Sequence, residues 1–471
     1  MKLTKFVPLL PFCAAPFLSA DVTLPSVIGS HMVLQRDEPV PIWGWADAKE
    51  EITVEFNGHK AKATAGDDKG WKVELPASKA NAKGQKLTIK GKNTIVLEDV
   101  LVGEVWLCSG QSNMEWTVSR SYNPQEEIAN SANPLIRHIK VPHRPSDKAE
   151  TDVETSGWLL AAPETTGNFT AVGYFFARHI QKELNVPVGL LGSNWGGTRI
   201  DPWIPPVGYR AVPALKADFA DKLDQFPTKA ANGKVNHQTP LALYNGMISP
   251  LVPYGIRGAL WYQGESNNGE GMLYHEKMKG LISGWRSLWN KPELPFYFVQ
   301  LAPFKYGNRN PQDLAGIWHA QLASLSIPHT GMAVTTDIAT TNNIHPPNKQ
   351  DVGKRLALWA LAKDYGKKEI VYTGPLFEKV EAKGTELVVH FQKGTADGLK
   401  TTDCQKASHF EVAGKDGEWK PAIAMVRGDT IVLTAEGVEK PASARFAWDQ
   451  VAEPNLFNGA GLPASPFNST W

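Results

Sequence analysis

Four short segments of the 471-residue chain carry residue types suited to acyl transfer, and each follows an apolar run. Gly110-Gln111-Ser112-Asn113 places a serine on a tight turn, where a hydroxyl stands exposed and the residue's own N–H faces a developing oxyanion. Asn194-Trp195-Gly196-Gly197-Thr198-Arg199 offers a glycine pair whose backbone N–H groups can approach a ligand closely. Gln263-Gly264-Glu265-Ser266-Asn267 adds a side-chain amide donor. Ile344-His345-Pro346-Pro347 adds an imidazole for general-base work. Any one of these has a dull explanation as a turn or a loop histidine. Their convergence, in chain order at four strand ends, supplies a nucleophile, an N–H donor, an amide donor and a base, which is the parts list for acyl transfer.

The elements that must position these residues can be read from periodicity. Residues 101–109, 186–193, 256–263, 296–301 and 331–337 are apolar runs typical of buried strands, and helical patterns lie at 170–184, 272–289 and 348–360. Alternating strands and helices predict an α/β domain on a parallel sheet over 101–366, with reactive groups at the carboxyl ends of its strands. A proline-rich excursion at 204–255 is expected as a surface insertion on the substrate rim. Short strands at 40–46, 52–58, 71–77 and 86–91 predict a β-sandwich over 21–100. Strands at 387–392, 430–435 and 444–449 predict a second β-region over 367–471.

Residues 1–20 read as a secretory signal: Lys2 and Lys5, an apolar stretch from Phe6 to Leu18, and a Leu18-Ser19-Ala20 cleavage site. Export to periplasm or medium is the expectation, and no later stretch is apolar enough to span a membrane. Cys108 and Cys404 stay in the mature chain, as a disulfide or as two free thiols. With 49 basic and 48 acidic residues there is no basic excess to neutralise a phosphate backbone, so nucleic-acid partners are not expected. Tryptophan (16) outnumbers tyrosine (11), which suits flat apolar surfaces for sugars. Of these, Trp116, Trp195, Trp203 and Trp261 flank the four loops, and Trp116 and Trp195 are read as substrate contacts.

The segments GEVWLCSGQSNMEW (103–116), GLLGSNWGGTRIDPW (189–203), LYNGMISPLVPYGIRGALWYQGESN (243–267) and IHPPNKQDVGKRLA (344–357) resemble the sialate O-acetylesterase family of the SGNH (GDSL-like) hydrolase superfamily. The resemblance implies an SGNH three-layer α/β domain with a parallel sheet, flanked by N- and C-terminal β-domains. It implies an O-acetylated sugar as substrate, no metal and no organic cofactor. It carries the nucleophile to Ser112, the base to His345 and the oxyanion hole to Ser112, Gly196 and Gln263, where the superfamily's usual side-chain donor is an Asn. That superfamily places an Asp three residues before its histidine, but Asn342 stands there. Either Asp337 supplies the acid, or the site is a Ser–His dyad, which the sequence favours. Arg199 is the expected partner of a sialic acid carboxylate, with a surface ion pair to Asp201 as its alternative. Two other readings keep these segments: an esterase for acetylated xylan or a related polysaccharide, and a carbohydrate-binding protein with an inactive site.

Overall fold

In a computed structural model of the chain, residues 21–470 are described, so the expected signal segment lies outside them. The N-terminal strands are β1 (Val33–Gln35), β2 (Val40–Trp45), β3 (Glu51–Phe56), β4 (His59–Thr64), β5 (Gly70–Leu75) and β6 (Asn81–Lys90). Period-2 alternation buries Ile52, Val54 and Phe56 of β3. The turn into β4 is Asn57-Gly58 with φ of 50° and 77°, the positive pair that a two-residue hairpin needs.

Strand β7 (Thr94–Gly110) joins two sheet regions. Its first half pairs antiparallel with β6, and its second half pairs parallel with β10 (Val188–Asn194) and β11 (Gly258–Tyr262). The boundary expected near residue 100 therefore falls inside one continuous strand, and one hydrophobic core runs from Val22 across it. From Val100 onward every β7 residue is buried, as a strand covered on both faces requires.

With β8 (Asn133–Lys140), β9 (Leu159–Ala161), β12 (Phe296–Val299) and β13 (Thr330–Ala333), the central order is β13-β12-β11-β7-β10-β8-β9. Every pairing along this path is parallel except β8 with β9. The helices are α1 (Ser112–Glu115), α2 (Pro124–Ala129), α3 (Ala171–Leu184), α4 (Pro206–Ala211), α5 (Leu273–Leu288), α6 (Asp313–Ala323) and α7 (Lys349–Lys363). Phe176 of α3 packs edge-on against Trp106, and Trp359 of α7 meets Tyr297. A Cβ on Gly353 of α7 would come within 2.6 Å of the Phe176 backbone nitrogen, so glycine sets how closely α3 and α7 approach. Trp285 of α5 meets Trp261 and Phe296.

Beyond residue 376 two four-stranded antiparallel sheets enclose a second core that includes Leu387, Val389, Phe410, Ile431, Phe446 and Phe467. The fold is thus mixed α/β with a largely parallel central sheet and separate C-terminal β-sheets. The 204–255 segment is anchored in the core at both ends and runs over the surface only between them, at 216–239. Ile204, Tyr209, Leu215, Met247, Ile248 and Leu251 are fully buried, leaving His237 and Gln238 to reach the site loops. Cys108 is buried and Cys404 exposed, both free; burial pushes the Cys108 thiol up. No helix among the described residues is long and apolar enough to cross a membrane.

Candidate active site

Strand β7 ends at Gly110 with φ of +135°, where a Cβ would lie 2.2 Å from the Tyr262 carbonyl oxygen. Only glycine fits this close approach, and it turns the chain sharply into Ser112, the first residue of α1. The Gln111 amide oxygen faces inward and accepts from Gln263 Nε2 at 3.1 Å. His345 lies on the loop between β13 and α7, whose first turn is capped by Asn348 accepting from the Asp351 N–H. Its Nε2 lies 2.8 Å from Ser112 Oγ. The Trp116 indole stacks on the imidazole at 4.6 Å with an interplanar angle of 18°. Burial, then the positive charges of Lys349 and Arg120, hold the His345 pKa below the usual imidazole value.

Among the described residues no acidic side chain hydrogen-bonds to this pair. Asn342 is exposed. Asp337 forms a two-pronged ion pair with Arg355 at 2.7 and 2.6 Å, and Arg355 also donates to the Val334 carbonyl. Among the described residues, no hydrogen bond reaches Nδ1 of His345. Asp337, the acid considered from the sequence, is thus engaged by Arg355.

The expected oxyanion donors are arranged differently from the expectation. Gly196 lies beside Ser112, since a Cβ there would be 3.2 Å from Ser112 Cβ, but its N–H donates at 2.8 Å to Glu115 Oε2. The other Glu115 oxygen lies 2.8 Å from His143 Nε2. Burial raises the Glu115 carboxyl, yet the hydrogen bonds from His143 and Gly196 outweigh it and hold the group below the usual range. Gln263 is fully buried, and its Nε2 donates to Asn267 at 2.7 Å and to Gln111 and Thr198 at 3.1 Å. Continuing the alternation of β11, it falls on the side of Trp261 and receives the Tyr274 hydroxyl of α5. Its amide is consumed in the core.

Substrate-contact expectations also change. Arg199 pairs with Glu270, lies 3.4 Å from Asp201 and donates to the Ser266 carbonyl, which is the ion-pair alternative rather than an open carboxylate receptor. Trp195 is already stacked on by His143 at 4.3 Å and His237 at 4.6 Å, with nearly parallel rings. Trp116 has His345 against it and the Arg120 guanidinium 5.4 Å from its ring. Trp203 and Trp261 are buried core residues. From sequence, no role was assigned to His143, Glu115, Glu265 or Lys349. Glu115 lies three residues beyond the nucleophile, within the quoted motif, and that adjacency was the available signal. Among the described residues no cluster of three or more His, Cys, Asp or Glu side chains is placed to hold a metal ion.

Residues 102–362 match the family described as carbohydrate esterase, sialic acid-specific acetylesterase. The chain is 31% identical to a sialate O-acetylesterase of Rattus norvegicus, over 94% of this chain and 93% of that protein. It is 29% identical to the Homo sapiens sialate O-acetylesterase, over 94% and 91%. The crystal structure of a novel carbohydrate acetylesterase from Xanthomonas citri superposes with a TM-score of 0.88 at 35% identity, covering 96% of this chain and all of that one. The chain is an ester hydrolase and belongs to the sialic acid-specific acetylesterase family of carbohydrate esterases.

Proposed function

We propose that this protein is an exported serine esterase that removes O-acetyl groups from sialic acids through an acetyl-enzyme on Ser112. The observation that carries the reading is the 2.8 Å contact between Ser112 Oγ and His345 Nε2 at the end of β7. His345 takes the Ser112 proton as Oγ bonds to the acetyl carbonyl carbon. The sugar oxygen then leaves with that proton. Water next attacks the acetyl-enzyme, giving its proton to His345, and acetate departs as Ser112 is restored. The Ser112 N–H, at the N-terminus of α1, faces the developing oxyanion. The Gly196 N–H joins it once the oxyanion displaces the Glu115 carboxylate. The central sheet with its helices is read as the SGNH three-layer domain, with β-regions before and after it, and residues 1–20 as the export signal.

His345 must be neutral to act as base. Because its pKa is held below the usual imidazole value, activity persists on the acid side of that value and falls only as pH drops through the lowered one. A rate profile for kcat/KM checks this, and an acidic limb at or above the ordinary histidine value contradicts it.

One observation favours a neutral polysaccharide acetate instead: Arg199 is already paired with Glu270 and Asp201. In the sialic acid reading the carboxylate meets Arg120, which is exposed and lies against Trp116 beside the dyad. Acetate release from O-acetylated sialic acid and from acetylated xylan, each measured with wild type and Arg120→Ala, separates the two. The sialic acid reading predicts preference for the sialic acid ester and a raised KM for it alone in the variant. Preference for xylan, with no effect of the substitution, selects the neutral substrate.

A further inference from the structure

We propose that Asn113, Glu265 and Lys349 form a buried positioning unit that holds His345 against Ser112, in place of the carboxylate that a Ser–His–Asp triad would supply. This rests on the Ser112–His345 reading above. Asn113 follows the nucleophile directly and is 1% exposed. Its Oδ1 accepts from Lys349 Nζ at 2.5 Å, and its Nδ2 donates to Glu265 Oε1 at 2.5 Å and to the Ile344 carbonyl at 2.9 Å. A lysine ammonium only donates, so the oxygen of the amide must face it. The NH₂ group is thereby fixed on Glu265 and Ile344.

The Ile344 carbonyl belongs to the peptide unit that leads into His345. Holding that carbonyl from the residue next to Ser112 ties the backbone of the base to the backbone of the nucleophile. A dyad has particular need of such a tie. With Nδ1 of His345 unpartnered among the described residues, the ring's hydrogen bond is the one to Ser112 itself, and it is otherwise placed by its backbone and the Trp116 stack. Misplacement of a reacting group by an ångström costs on the order of 100-fold in rate, so the tie acts on the chemistry rather than on stability alone.

The charges on either side of the amide point the same way. Lys349 is fully buried in the first turn of α7, and its Nζ lies 5.1 Å from the centre of the Tyr262 ring. Glu265 is buried, with Oε2 left without a hydrogen-bond partner. Burying two opposite charges and bridging them through one neutral amide is a poor way to stabilise a core, because desolvation opposes both. Burial pushes the Lys349 pKa down to about 7, against the pull of Glu265. Burial raises the Glu265 carboxyl, and the Asn113 hydrogen bond and Lys349 oppose that rise. The charged groups bearing on His345 are Lys349, from α7, and Arg120, from the segment after α1, both of which favour the neutral imidazole.

The test uses the full chain and a small neutral acetate ester, with kcat, KM, the pH profile of kcat/KM and Tm measured for wild type, Asn113→Ala, Lys349→Met and Ser112→Ala. Asn113→Ala is expected to lower kcat by about 10- to 100-fold with little change in KM. Lys349→Met is expected to move the acidic limb of kcat/KM to higher pH, because the charge that depresses His345 is gone. A merely structural role would lower Tm and leave that limb in place. Should Asn113→Ala fail to fold, Lys349→Met still decides, since methionine fills the space of the lysine stem. Folded variants that keep the wild-type kcat and the wild-type acidic limb overturn the proposal while an inactive Ser112→Ala leaves the dyad standing. Full activity in Ser112→Ala overturns the dyad and, with it, the positioning unit.

Discussion

Two carboxylates flank the Ser112 turn, and their surroundings are opposites. On the inner side Glu265 is buried among Asn113, Lys349 and Tyr262, and burial raises its pKa. On the outer side Glu115 is partly exposed, and donors from His143 and Gly196 hold its pKa low despite burial. The inner group is locked between β11 and α7, in a place where nothing can exchange for it without opening the core. The outer group sits on the rim, among side chains that can yield to a ligand. On the proposed reading, such a site fixes its proton-transfer pair from within and leaves its oxyanion donor to be claimed when substrate arrives. Stabilisation of a transition state needs donors aimed at the developing charge, but it does not need them idle beforehand.

The comparison breaks most visibly at the dyad that both sides serve. His345→Ala removes the group that moves the proton and is expected to lower kcat/KM by roughly 1,000-fold or more, with Tm little changed. Esterase kinetics and a thermal melt check this together. A loss below about tenfold would mean that another group takes the Ser112 proton. On the outer side, Glu115→Gln is expected to raise kcat/KM by about three- to tenfold. A tenfold gain corresponds to roughly 1.4 kcal/mol and is the scale of one hydrogen bond no longer displaced. A fall of more than tenfold would make Glu115 a participant in the reaction and not a competitor for the Gly196 N–H. The smallest effect on rate belongs to Asp337, which lies outside both regions. Asp337→Asn is expected to cost less than about tenfold in kcat/KM while destabilising the fold by about 1–3 kcal/mol, because Arg355 is largely buried and loses its partner. A loss of thousands-fold would restore the acid of a triad.

The serine and histidine between the two carboxylates were more legible in sequence than either carboxylate's surroundings. Buried strands announce themselves as apolar runs, and a turn such as Gly110-Gln111-Ser112-Asn113 directly after one marks a place where chemistry can sit. Ser112 and His345 were singled out in that way, and the fold brings them 2.8 Å apart. The outer carboxylate's surroundings were hidden because a partner's identity is decided by tertiary geometry. Nothing in Gly196-Gly197 says that the Gly196 N–H will meet a glutamate from α1. Nothing in Arg199 says that Glu270, far along the chain, will reach it first. Gln263 was misread for a simpler reason: the period of two along β11 already assigned it to the α5 face with Trp261, where its amide bonds Asn267 and Tyr274. The helix α6 went unseen because Leu314, Ala315, Ile317, Trp318 and Ala320 are all buried, leaving no polar face to mark a period. The boundary near residue 100 had no sequence signal to correct it, since β7 serves two sheets without a break.

The central claim is that Ser112 is the nucleophile. Its most direct test is titration of the full chain with an organophosphate ester that phosphorylates activated serines, following esterase activity and mapping the adduct by peptide mass. The account predicts one adduct per chain, on the peptide carrying Ser112, formed in step with the loss of activity and absent from Ser112→Ala. Complete inactivation with the adduct on another residue, or full activity in a chain labelled at Ser112, would contradict it.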